Sequence, residues 1–124
     1  MKRILIVEDN PQNMKLAATV LEKSGYVVLK AVDADSGILL ARQELPDLIL
    51  MDIQLPGMDG LTATGLLKGD SATSQIPIIA LTAFAMVGDR DRIIAAGCDD
   101  YISKPIRYKE FLESVQKWVP LDGD

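Results

Sequence analysis

Four short apolar runs constrain the fold of this chain more than any other feature, because each stops abruptly at a polar group. The runs are Ile4–Val7 before Glu8 and Asp9, Leu48–Met51 before Asp52, Ile78–Leu81 before Thr82, and Tyr101–Ser103 before Lys104. Runs of this length are typical of strands in a parallel sheet that is covered on both faces. Ligands of open α/β sheets bind beyond the carboxyl ends of the strands, so we expect these polar groups to meet in one site.

Segments with helical periodicity alternate with these runs and predict repeated βα units. A further strand is predicted over Tyr26–Ala31. Four helices are predicted over about Pro11–Ser24, Leu61–Lys68, Val87–Ala96 and Tyr108–Trp118. Another helix is predicted to end before Pro46, and its buried face is expected to contain Ala34, Ile38, Ala41 and Leu45. With right-handed crossovers the simplest sheet order is 2-1-3-4-5, that of the flavodoxin-like, doubly wound (βα)5 fold. In that order Asp9 and Asp52 face each other across the crevice, and residues 1–124 form one domain.

Composition excludes several classes of function. The chain of 124 residues has a formal net charge of −5, which argues against nucleic-acid binding. It has neither a signal-peptide pattern nor an apolar run long enough to cross a bilayer, so we expect a soluble, cytoplasmic protein. The absence of histidine excludes His-dependent catalysis, and the single cysteine, Cys98, is expected to be a small buried residue. Any metal must therefore be bound by oxygen ligands.

The predicted site contains three carboxylates but one lysine. Two unit charges 4 Å apart repel by ~4 kcal/mol at an effective dielectric constant of 20, and Lys104 cannot neutralise all three acids. A divalent hard cation can, and such a set of oxygen ligands suits Mg²⁺. We expect Asp9 and Asp52 to be direct ligands and Glu8 to act through a water molecule or from the outer shell.

An acidic metal pocket with a lysine and a hydroxyl fits phosphoryl transfer. A carboxylate can attack phosphorus to form an aspartyl-phosphate, and Asp52 is the expected nucleophile because it follows a central strand with an open loop behind it. Lys104 and Mg²⁺ would neutralise the phosphoryl oxygens, and the Thr82 hydroxyl would donate to one of them.

These residues together resemble the receiver domain of two-component response regulators, a CheY-like superfamily. The resemblance covers essentially the whole chain and rests on Glu8-Asp9, Asp52, the loop Pro56-Gly57-Met58-Asp59-Gly60, Thr82-Ala83 and Lys104-Pro105. It implies that Asp52 is the phospho-acceptor and that the main-chain carbonyl of Gln54 is a further Mg²⁺ ligand. It also implies that Thr82 and Tyr101 form a conformational switch and that the peptide bond before Pro105 is cis.

The same resemblance implies a function in a phosphorelay. The domain would catalyse its own Mg²⁺-dependent phosphorylation and slow dephosphorylation, with a histidine kinase or a histidine phosphotransfer protein as donor. Output would go to a partner protein through the face formed by the fourth helix, the fifth strand and the fifth helix, without nucleic acid or membrane. Residues expected on this face are Ala85, Met86, Arg90, Tyr101, Ile106 and Tyr108.

Within the family, the segments 80–86 and 98–106 look most like stand-alone DivK-like regulators and the receivers of hybrid kinases. The chain could accordingly be a complete regulator or a receiver excised from a hybrid kinase. A phosphorylation-independent interaction module of the same fold is the main non-enzymatic alternative.

A flavodoxin is disfavoured by the acidic loop after the first strand. A haloacid-dehalogenase-type phosphatase is disfavoured because Gln54 stands where that class needs a second aspartate.

Overall fold

A five-stranded parallel sheet with helices on both faces forms the protein in this computed structural model, which describes residues 1–83 and 87–121. The strands are β1 (Arg3–Val7), β2 (Val27–Ala31), β3 (Leu48–Asp52), β4 (Ile78–Thr82) and β5 (Asp100–Ser103). The helices are α1 (Pro11–Lys23), α2 (Ala34–Glu44), α3 (Gly60–Lys68), α4 (Val87–Ala95) and α5 (Tyr108–Trp118). The strand order is β2-β1-β3-β4-β5, so the flavodoxin-like prediction is confirmed.

Polar side chains cap the N-termini of three helices. The side chain of Asn10 accepts hydrogen bonds from the main-chain N–H groups of Gln12 and Asn13, and Pro11 occupies the first turn of α1. Asp33 caps α2 through Ser36 N, and Asp59 caps α3 through Thr62 N, each at 2.8 Å. These caps satisfy N–H groups that have no partner within the helix.

Two apolar layers cover the sheet, as its alternating side chains require. On one face, residues such as Ile6, Leu50 and Phe111 pack with α1 and α5. On the other face, residues such as Val7, Met51 and Ile93 pack with α2, α3 and α4. Each fully buried side chain of this size contributes roughly 1.5–3 kcal/mol of transfer free energy, which holds the strand ends in place. None of the helices in residues 1–83 and 87–121 is both long and apolar enough to cross a membrane.

The structure corrects one predicted core residue. Leu45 was assigned to the buried face of the second helix, but it lies after the helix end, in a left-handed conformation with φ of 47°, and is 51% exposed. The periodicity would place it inward only if the helix continued through it. Cys98 is buried, as predicted, and contacts the hydroxyl of Thr64.

Candidate functional site

The register of the sheet brings the predicted site residues to one edge. Val7 pairs with Met51, and Asp52 pairs with Leu81, so Glu8 and Asp52 lie at the same level on neighbouring strands. Thr82 pairs with Ser103, which places Lys104 just beyond the same edge. The main-chain register of the strands therefore brings these groups to the same edge.

Three carboxylates converge at this edge. Glu8, Asp9 and Asp52 each present an oxygen, and these oxygens all lie within 4.8 Å of one another. Glu8 and Asp52 are almost fully buried, with 1% and 2% exposure, whereas Asp9 is exposed to solvent. At about 5 Å two ionised carboxylates repel by roughly 3 kcal/mol even at an effective dielectric constant of 20. The cluster is therefore electrostatically unfavourable without a compensating cation.

Lys104 compensates part of this charge. Its Nζ lies 3.0 Å from Glu8 Oε1 and 3.0 Å from Asp52 Oδ2, so one ammonium group forms ion pairs with both buried acids. Lys104 is held at the end of β5 by its main-chain N–H, which donates to the Thr82 carbonyl at 2.7 Å, and the following peptide bond to Pro105 is cis, as expected. Two buried acids and one lysine still leave one uncompensated negative charge, and Asp9 adds another when ionised.

The electrostatics of the site are unusual at Glu8. Burial, with the nearby Asp52 carboxylate, raises the pKa of Glu8 from 4.5 to about 7, although Lys104 and the N–H of Asn10 oppose the rise. Burial alone would lower the pKa of Lys104, but the carboxylates of Glu8 and Asp52 outweigh it and the pKa is raised. The lysine therefore remains charged while Glu8 is poised to exchange a proton near neutral pH.

The donor set fits a hard divalent cation. Glu8 Oε2 accepts a hydrogen bond from Asn10 N at 3.1 Å, but Glu8 Oε1 has no hydrogen-bond partner in the described part of the chain. Its contact with Lys104 Nζ at 3.0 Å is an ion pair. A buried oxygen with unused acceptor capacity costs free energy, and water bound to a cation would satisfy it. Carboxylate oxygens with room for water are the ligands that Mg²⁺ prefers.

The loop after β3 continues the site. The main-chain N–H of Gln54 donates to Asp52 Oδ1 at 2.9 Å, which fixes the orientation of that carboxylate. Ile53 and Leu55 on either side are buried, whereas the side chain of Gln54 is exposed. The apolar neighbours anchor the loop, and the main chain of Gln54 stays beside the carboxylate.

The two expected switch residues lie in different surroundings. Thr82 is fully buried at the end of β4, next to the acidic cluster in register. Tyr101 is one strand further away on β5, half-buried against the α4 side of the core. The guanidinium carbon of Arg90 on α4 lies 5.8 Å from the centroid of the Tyr101 ring, within cation–π range. Tyr101 therefore lies outside the acidic cluster, and its switch role stays a prediction.

Two contacts beside the site were not foreseen. The main-chain N–H of Asn10 binds Glu8, a bond that any residue at position 10 other than proline could make, so the sequence carries no signal for it. The indole N–H of Trp118 donates to Asp100 Oδ2 at 2.9 Å and ties α5 to β5 directly before Tyr101. Only the folded arrangement of strand and helix brings these two residues together.

Comparison with known proteins identifies the family. Residues 4–116 match the response regulator receiver domain as a family. The polar-differentiation response regulator DivK of Brucella anthropi is 48% identical over 118 residues, covering 95% of this chain and 96% of the relative.

Solved structures share the fold. The receiver domain of the sensor histidine kinase PA1611 from Pseudomonas aeruginosa, whose structure holds a magnesium ion in its active-site cleft, is 38% identical. It superposes with a TM-score of 0.87 over 94% of this chain and 96% of that one. The chemotaxis protein CheY4 of Vibrio cholerae, 24% identical with a TM-score of 0.91 over 96% and 99% of the two chains, shares the fold. With family, relatives and sheet order in agreement, this chain belongs to the receiver domains of two-component response regulators.

Proposed function

We propose that Asp52 accepts a phosphoryl group from a phosphohistidine on a histidine kinase or a histidine phosphotransfer protein. The observation that carries this proposal is the placement of Lys104 Nζ at 3.0 Å from both Glu8 and Asp52, beside a third carboxylate. A lysine so placed can turn from the free acids to the oxygens of an incoming phosphoryl group without leaving the site. The relative with bound magnesium supports the same chemistry.

Each residue of the site has a separate role in the proposed phosphoryl transfer. A carboxylate oxygen of Asp52 forms a bond to phosphorus while the bond from phosphorus to the donor nitrogen breaks, and that electron pair stays on the imidazole. Lys104 and the Thr82 hydroxyl bind phosphoryl oxygens, and Gln54 N keeps the Asp52 carboxylate oriented. Bound Mg²⁺ would neutralise charge that develops on the phosphoryl oxygens. We assign Asp9, Asp52 and the Gln54 carbonyl as its ligands, with Glu8 acting through water.

Acetyl phosphate provides a test without a cognate kinase. With Mg²⁺ the intact mass of the protein should increase by one phosphoryl group, and EDTA should prevent the increase. Asp52→Asn should not be labelled, because an amide keeps the shape but is not a nucleophile. Asp59→Asn is the matched control, since this exposed aspartate caps α3 in the same loop and asparagine caps equally well. Failure of the parent protein to be labelled would favour the phosphorylation-independent interaction module.

We further propose that the signal leaves through the face formed by α4, β5 and α5. A phosphoryl group on Asp52 offers an oxygen to Thr82, and movement of Thr82 opens space into which Tyr101 can turn. A phosphoryl group shifts this equilibrium only by its different affinity for the two states. The contact between Arg90 and the Tyr101 ring would stabilise the state in which it forms, since an exposed cation–π contact contributes about 0.5–1 kcal/mol.

Hydrogen exchange with and without beryllofluoride tests this route. Protection should change mainly over residues 82 to 108, where Arg90, Tyr101, Ile106 and Tyr108 lie. The expected members Ala85 and Met86 lie outside the described residues. Changes confined to residues 52 to 60, with Tyr101→Ala leaving partner binding unaltered, would place the output near α3 instead. The cytoplasmic location and the single-domain organisation over residues 1–124 stay predictions.

A further inference from the structure

Gly60, the first residue of α3, packs against the main chain of the phosphoryl acceptor. A Cβ atom at this position would overlap the carbonyl oxygen of Asp52 and would lie 2.7 Å from the Cα of Ile53 and 2.9 Å from the carbonyl carbon of Asp52. All three atoms are main-chain atoms, so no side-chain rotation can relieve the overlap. A side chain at residue 60 therefore requires the peptide between Asp52 and Ile53, or the start of α3, to move.

Space rather than backbone conformation demands glycine here. Gly60 does not have a positive φ, unlike Gly57 with φ of +74°, so alanine can adopt its conformation. In a helix alanine is favoured over glycine by up to ~1 kcal/mol. The close approach to Asp52 thus works against local helix preference. Gly65 in the same helix has no neighbouring atom within 4 Å of its Cβ position, which makes it a matched control.

The peptide that Gly60 touches, between Asp52 and Ile53, belongs to the short main-chain segment that carries both oxygens assigned to the metal. On one side is the Asp52 carboxylate, which accepts from Gln54 N at 2.9 Å, and on the other is the Gln54 carbonyl. Two main-chain hydrogen bonds hold this segment: Ile53 N, in that peptide, donates to Leu81 O at 3.2 Å, and Gly60 N donates to Ile53 O, in the next peptide, at 3.4 Å. We infer that Gly60 is a positioning residue, whose missing side chain sets the Asp52 carboxylate and the Gln54 carbonyl at the spacing that Mg²⁺ needs. This inference rests on the metal site of the proposed function.

The test compares the parent with Gly60→Ala and Gly65→Ala. Mg²⁺ affinity is measured by titration calorimetry at a temperature where circular dichroism shows all three proteins fully folded. Gly60→Ala should bind Mg²⁺ roughly 10-fold or more weakly, the range seen when groups that orient metal ligands are lost. Its labelling by acetyl phosphate at saturating Mg²⁺ should slow by up to about 100-fold, because small misplacements of reacting groups are costly. Gly65→Ala should match the parent in both measurements.

Each other outcome is decisive. Equal Mg²⁺ affinity in folded Gly60→Ala and the parent would overturn the inference. If Gly60→Ala does not fold, the measurement moves to the double variant with Gly65→Ala, whose added helix preference offsets part of the loss. A double variant that still does not fold would also overturn it, since Gly60 would then serve the core as a whole. A parent that binds Mg²⁺ but takes no phosphoryl group would refute the proposed function and leave the positioning inference standing on the affinities.

Discussion

In Mg²⁺-free buffer the protein should lose stability as the pH rises from 5 to 7, and Glu8 is the cause. Burial beside Asp52 raises the pKa of Glu8 from 4.5 to about 7 in the folded state. Between these values the folded protein binds a proton that the unfolded chain has released. This contribution to the free energy of unfolding is complete below the unfolded pKa and is lost as the pH rises through the folded one.

The magnitude follows from the shift. The difference between 4.5 and about 7 is about 2.5 units, which at 1.36 kcal/mol per unit corresponds to roughly 3 kcal/mol in total. Integrating between pH 5 and pH 7 gives about 2 kcal/mol, since both pKa values lie close to these limits. Glu8 is only 1% exposed, so water screens the effect little. A change of this size lowers the melting temperature of a domain of this length by roughly 5–10 °C.

Thermal unfolding in EDTA at pH 5, 6 and 7 measures this loss, with Glu8→Gln as the reference. Glutamine imitates the protonated acid and cannot titrate, whereas other groups, such as Asp33 and Asp70 with their lowered pKa values, titrate in both proteins. The difference between parent and variant therefore isolates Glu8. The reasoning would be refuted if the difference in melting temperature between the parent and Glu8→Gln did not change with pH, or if the parent became the more stable of the two as the pH rises. Saturating Mg²⁺ at pH 7 should restore the melting temperature of the parent, because the cation then neutralises the charge that the proton neutralised at pH 5.

Three further predictions concern single residues. Asp52→Asn should melt a few degrees above the parent at pH 8 in EDTA, because Lys104 then faces Glu8 alone; equal or lower melting would contradict the repulsion argument. Asp9→Asn should weaken Mg²⁺ binding in calorimetry more than Glu8→Gln, and the reverse order would make Glu8 the inner ligand. Leu45→Gly should raise the free energy of unfolding in urea by about 0.5–1 kcal/mol, because it removes a left-handed non-glycine residue. Leu39→Gly, at an exposed position inside α2, should lower the free energy of unfolding by about 1 kcal/mol. If both substitutions lower the free energy of unfolding, the left-handed conformation of Leu45 is not strained.

The sheet and the position of the site could be predicted because one physical cause sets both. Apolar runs such as Ile4–Val7 and Leu48–Met51 must be covered on both faces, which fixes a parallel sheet and aligns the strand ends. The polar residues that follow those runs then lie together at one edge of the sheet. Asp52 and Thr82 nevertheless belong to their strands, since the ladder pairs them with Leu81 and Ser103. A strand ends where its neighbours stop pairing, which hydropathy alone does not reveal.

Other features of the site depend on tertiary distances and could not be predicted. The sequence places a lysine near three acids, but it does not reveal that Lys104 pairs with the two buried ones and not with exposed Asp9. Nor does spacing reveal that Arg90 lies over Tyr101, because the two residues come from a helix and a strand that meet only after folding. The misassignment of Leu45 has a local cause: periodicity indicates a helix face but not where the helix ends.

The charges at the strand ends link the proposed metal, the proton on Glu8 and the proposed phosphoryl group. With all acids ionised, Glu8, Asp9, Asp52 and Lys104 carry a net charge of about −2, and a divalent cation brings the site to neutrality. The proposed phosphoryl transfer would replace the single charge of Asp52 by about two, so the phosphorylated site would be about −1 with the cation and −3 without it. The proton on Glu8 relieves the repulsion when no cation is bound, but a proton neutralises one charge where the cation neutralises two. Phosphorylation should therefore favour Mg²⁺ over the proton, and Lys104, in contact with both buried acids, is the fixed positive charge common to every state.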